Sequence, residues 1–246
     1  MRRILFICSA VILLTASAYA QKAKPWTEWS EKEAEKILND SGWGQTQTEG
    51  DTSTQPASTS AITSTTLARR EDSNTSAAAK VESGQKKDAS LVHYRVRLMS
   101  AKPIRAAFVR MVELQGASAE RIATLRTFVD REFADYIVVT VSMDGTDRKR
   151  MGSVIQELTN GGEEALKTTT YLERKDGKRL ALMAYRAPDP ADGLGAKFVF
   201  PRMVDGRPFL DASSGEVRFG TELGKVVKIY RRFKVSEMMY DGKLEY

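Results

Sequence analysis

The chain has 246 residues, 38 Lys and Arg against 32 Asp and Glu, a formal charge of +6, one cysteine and one histidine. A lone imidazole excludes multi-histidine metal sites, and so mild a positive balance lacks the dense Lys/Arg footprint of a nucleic-acid binder.

The opening stretch has the form of an export signal. Arg2 and Arg3 precede an apolar core over 4–14, and Ala18, Tyr19 and Ala20 give the small-x-small pattern of a cleavage site. The core is shorter than the ~20 residues that span a bilayer, so cleavage before Gln21 is expected, with no transmembrane helix afterwards. Cleavage would remove Cys8 and leave a mature chain without disulfides or thiolate chemistry, and with a charge of +4. A periplasmic or extracellular address follows, with no nucleic acid as partner, and no cofactor or metal is expected.

Residues 21–43 hold all three tryptophans, Trp26, Trp29 and Trp43. Ser30 and Glu33 have the spacing of a capping box, and Ala34, Ile37 and Leu38 form one face of a helix over 31–39. Alone, so short a helix is unstable in water. Its surface is either the protein's own domain or a partner captured by a tethered anchor. The tether would be 44–90, a Ser/Thr/Gln-rich linker too poor in apolar groups to order itself.

The globular domain is placed at 91–246. A first strand alternates Val92, Tyr94, Val96 and Leu98 with His93, Arg95 and Arg97. Pro103 opens a helix with Ile104, Ala107, Phe108, Met111 and Val112 as its stripe, and a second helix turns Ile122, Leu125, Val129 and Phe133 inward. Residues 136–141, six β-branched and aromatic side chains in a row, predict a central strand. Asp144-Gly145 is read as a turn and Asp147 as the cap of a third helix burying Met151, Val154, Ile155 and Leu158. From Leu166 onward the pattern is β, with hairpin signals at Asp176-Gly177, Asp205-Gly206 and Asp241-Gly242. In the last long strand Val227, Ile229, Phe233 and Val235 lie on one side, and Arg231 on that side breaks the pattern. The fold class is α+β: about three helices on a mainly antiparallel sheet, preceded by the short Trp-rich helix and a disordered linker.

Chemical motifs are scarce: there is no nucleophile elbow, phosphate loop or zinc helix. Asp189 and Asp192 share a Pro/Gly-rich loop, 188–195, and mark the place for a carboxylate hydrolase, the alternative function. The stronger signal is interaction. Lys228, Tyr230, Arg232 and Lys234 share the outward side of the last strand, and would join Arg95 and Arg97 in one basic face if the two strands are neighbours. Such a face suits an anionic polymer or an acidic envelope protein. The Trp pattern of 26–43, together with the closing residues 233–246, resembles a group of exported bacterial hypothetical proteins. That resemblance implies a bacterial envelope setting and transfers no activity or site residues. The expected function is a non-enzymatic binding or structural module of the cell envelope.

Overall fold

A computed structural model describes residues 24–49, 91–224 and 227–246. The export signal and residues 50–90 of the expected linker lie outside these. After a 3-10 turn at Trp26–Glu28 come α1 (Glu31–Asn39), β1 (Gly44–Thr48), β2 (Val92–Leu98), α2 (Lys102–Leu114), α3 (Ala119–Asp130) and β3 (Tyr136–Gly145). The chain continues through α4 (Arg148–Asn160), α5 (Glu163–Thr169), β4 (Tyr171–Arg174), β5 (Arg179–Ala181), β6 (Ala184–Arg186) and β7 (Ala196–Pro201). It closes with β8 (Met203–Val204), β9 (Arg207–Pro208), β10 (Glu216–Leu223), β11 (Val227–Lys234), β12 (Met239–Tyr240) and β13 (Lys243–Leu244).

The fold is α+β, but its strands form two main sheets rather than one. The first has the order β1-β2-β3-β7-β6 and the second β11-β10-β4-β5, each antiparallel throughout. β3 is the central strand of the first, as its composition predicts. Cross-strand partners share a face, so Val96, Val141 and Ala196 point the same way, as do Leu98, Val139 and Phe198. That face meets the second sheet: the Phe198 and Phe219 rings lie 5.4 Å apart, and Phe200 and Phe219 6.4 Å apart. Leu172, Val217, Ile229 and Phe233 complete the core from the other side.

Two features join the sheets at their sides. After β5 the chain passes directly into β6, with Met183 N donating to Val199 O at 2.8 Å. Across the other gap, the buried Gln47 amide donates to Lys228 O at 2.7 Å and accepts from Tyr230 N at 2.9 Å. Its side chain makes the pair of bonds that a neighbouring strand's peptide groups would make.

Several expectations need correction. Residues 44–48 are not linker: they pair with β2 in the register Gly44↔Arg97 to Thr48↔His93. Asp144-Gly145 is not a turn but the end of β3, with Gly145 opposite Val92. Asp147 does cap α4, accepting from Arg150 N at 2.8 Å, but that helix buries Val154 and Leu158 while Met151 is half-buried and Ile155 exposed. Residues 163–169 are a fifth helix, its first turn held by Glu163 and Glu164 to Lys167. Of the inward face assigned to the second helix only Val129 is buried, while Ile122 and Leu125 are half-buried. Phe133 falls beyond that helix and lies against the Arg105 guanidinium.

Candidate functional site

The Trp segment lies on the domain itself. Ser30 and Glu33 make the capping box, with Ser30 N donating to Glu33 Oε2 at 2.6 Å, and that bond, with Lys24 and the Ser30 hydroxyl, holds the Glu33 carboxyl down at about 2. Trp29 and Trp43 are buried, and each meets the Tyr240 ring edge-on at about 6.5 Å. Trp43 Nε1 donates to Glu245 O at 2.7 Å, and Arg110 Nε donates to Trp29 O at 2.7 Å. Trp26 is half-buried against the same core. Of the two surfaces open to this segment, the protein's own domain is the one it occupies.

Arg95 and Arg97 do not join the Lys228 row, because β2 and β11 belong to different sheets. Arg95 is fixed by Asp144 at 2.7 Å and by the Thr46 hydroxyl at 2.8 Å. Arg97 donates to Leu38 O at 3.0 Å and to Asn39 Oδ1 at 2.8 Å, so it clamps the last turn of α1, where unpaired carbonyls favour a cation. Burial pulls its guanidinium down to about 10. His93 is half-buried on the same face, its Nδ1 3.1 Å from the Thr48 hydroxyl.

Lys228, Tyr230, Arg232 and Lys234 lie together on the outward side of β11, as expected. The register adds partners that the last strand alone could not reveal. Lys228 faces Glu222, Tyr230 faces Gly220 and then Tyr171, Arg232 faces Arg218 and then Glu173, and Arg179 faces Glu173. The Tyr171 ring lies over Gly220, where an added Cβ would come within 2.6 Å of it, and the Arg179 guanidinium sits 4.1 Å from that ring's centre. Carboxylates are interleaved throughout. Glu222 accepts from Tyr230 at 2.7 Å and pairs with Lys228 at 3.1 Å; Glu216 meets Arg218 at 2.7 Å and Arg232 at 3.7 Å; Glu173 pairs with Arg179. Burial, and then the bond to Glu222, raise the Tyr230 phenol well above its ordinary value.

The loop 188–195 borders an apolar groove of about 420 Å³, lined by Met143, Ile155, Leu158, Pro188 and Pro190. Asp189 lines it and caps the Ala191 N–H at 2.9 Å. Asp192 does not: it caps Leu194 N–H at 2.8 Å and pairs with Lys197 at 2.7 Å. The groove thus holds one of the two carboxylates that the hydrolase alternative needs. Glu163 and Glu164 are engaged with Lys167 elsewhere. Among the described residues no three His, Cys, Asp or Glu side chains are grouped as a metal centre requires, and no helix is long and apolar enough to cross a membrane.

No family model matches the chain, and comparison with curated proteins and with solved structures gives no match.

Proposed function

We propose that this is an exported cell-envelope protein that acts by binding rather than by catalysis, and that it binds an anionic polymer with the outer face of its second sheet. The observation that carries the reading is the composition of that face. Five cations (Arg179, Arg218, Lys228, Arg232 and Lys234) and two tyrosines stand over four strands against three carboxylates of those strands and a fourth, Glu237, that pairs with Lys234 just beyond β11. Side chains on one face recur about every 7 Å along a strand and about every 5 Å across strands. That spacing suits repeated charges on a flexible polyanion. Arg232 and Lys228 are about half exposed and Lys234 more so, each paired with a glutamate (Glu216, Glu222 and Glu237) that a polymer would displace. The interleaved glutamates compete with the polymer, so the affinity is moderate and falls steeply with salt.

The test is sedimentation or surface binding with dextran sulfate and with polyphosphate across a salt series, for the native chain and for Lys228→Glu/Arg232→Glu/Lys234→Glu. The reading expects binding to fall at least tenfold in the variant, with its urea midpoint nearly unchanged. Equal binding by both would overturn it. For the address, mass analysis of the chain from an envelope fraction is expected to find Gln21 at the amino end.

A further inference from the structure

A cleft of about 400 Å³ lies between the end of α3 and the β12–β13 hairpin, apart from the sheet face. Its floor is the Arg105 guanidinium, 3% exposed. All its donors go to main-chain carbonyls, those of Met99, Ser100, Val129 and Arg131. Among the described residues it has no carboxylate in contact. Two further guanidiniums line the same cleft, each laid on an aromatic ring: Arg131 is 5.4 Å from the centre of Phe133 and Arg202 3.7 Å from that of Tyr246.

Converging like charges oppose one another, and partial neutralisation comes from Asp130, 3.0 Å from Lys102 Nζ, and from Glu245, which accepts from Lys102 N at 3.1 Å. Both acids are thus turned towards Lys102. Glu132 and Asp241 stand exposed at the rim, and Lys243 stands there with them. Arg202 Nη1 already donates to Tyr246 O, and its remaining N–H groups, with those of Arg131 and an ammonium, match a group carrying more than one negative charge.

We propose that this cleft is a phosphate-binding site, in which Arg131 and Arg202 take the phosphate oxygens, Lys243 closes over them, and Phe133 and Tyr240 flank any organic substituent. Arg105 supplies positive potential from beneath without ligating.

The test is thermal unfolding of the full chain with inorganic phosphate, phenyl phosphate or acetate at matched ionic strength. Phosphate is expected to raise the midpoint by roughly 2–5 °C over acetate once it is well above its dissociation constant. Phenyl phosphate acting at lower concentration would identify a monoester as the ligand; equal action would identify free phosphate. Arg131→Gln/Lys243→Gln, both at exposed positions, should remove the shift while leaving the midpoint in acetate in place. Lys228→Glu/Arg232→Glu on the sheet face should retain it. No shift over acetate, a shift that survives Arg131→Gln/Lys243→Gln, or one abolished by the sheet-face variant would each overturn the assignment.

Discussion

Gln47 meets the backbone of Tyr230 as another strand would, its Oε1 accepting the Tyr230 N–H at 2.9 Å while its Nε2 reaches Lys228 O at 2.7 Å. One side chain thus joins two sheets along a gap that no main-chain ladder bridges among the described residues. Replacing it by Ala leaves two main-chain groups facing a buried seam, and an unmet buried donor or acceptor costs ~1–3 kcal/mol. Gln47→Ala is therefore expected to lower the urea-unfolding free energy by about 2–4 kcal/mol. Gln45→Ala, on the same strand but half-buried and bonded only to Ser41 O, should cost less than half of that.

The same seam makes residues 24–49 part of the domain. α1 packs on α2, β1 completes the first sheet, and Trp29 and Trp43 close over Tyr240. A chain shortened to 91–246 exposes these surfaces and should fail to give a cooperative transition in urea. Adding a peptide of residues 21–49 in excess should restore one, with a blue shift in Trp emission as the indoles become buried.

The part of this legible in the sequence was the local part. The Ser30 and Glu33 box, the alternation of β2, the Asp147 cap and the Asp-Gly turns at 176, 205 and 241 each depend on residues a few positions apart. β1 reads as linker because Gly44, Gln45, Thr46, Gln47 and Thr48 carry no apolar side chain; its order comes from β2, which is remote in sequence, and from β11, more remote still. α5 was obscured by Thr168, Thr169 and Thr170, whose strand preference yields to the Glu163/Glu164–Lys167 pairs and to bonds from Thr169 to Glu222 O and between Thr170 and Thr221. Arg231, out of pattern in the sequence, is buried on β11 opposite Phe219, at the end of its sheet. Of the proposed binding face, β11 alone shows four residues. Tyr171, Arg179 and Arg218, and the glutamates that compete with a ligand, join it only through register.

Shielded tyrosines set the behaviour at high pH, the buried Tyr94 and Tyr185 together with the half-buried Tyr230. Burial pushes the Tyr94 and Tyr185 phenols up to about 12. An unfolded tyrosine ionises near 10, so the folded state favours the neutral form. The associated stability is complete below pH ~10 and is lost as pH rises from there through about 12. Absorbance of tyrosinate at 295 nm should therefore show a late phase that coincides with loss of the near-ultraviolet dichroism. In Tyr94→Phe/Tyr185→Phe that late phase should be smaller, with Tyr230 still contributing to it, and the unfolding shifted to higher pH.

The polyanion face is tested most directly by removing a competitor rather than a ligand group. Glu216 lies 2.7 Å from Arg218 and 3.7 Å from Arg232, and holds both against the sheet. Glu216→Gln keeps the side chain's size, releases Arg232 and leaves Arg218 only its 3.8 Å contact with Glu173. A single exposed or half-exposed ion pair is worth up to ~1 kcal/mol, or about fivefold in affinity. The decisive measurement is the dissociation constant for dextran sulfate at fixed salt: Glu216→Gln should bind about three- to tenfold more tightly than the native chain, and unchanged or weaker binding would contradict the account.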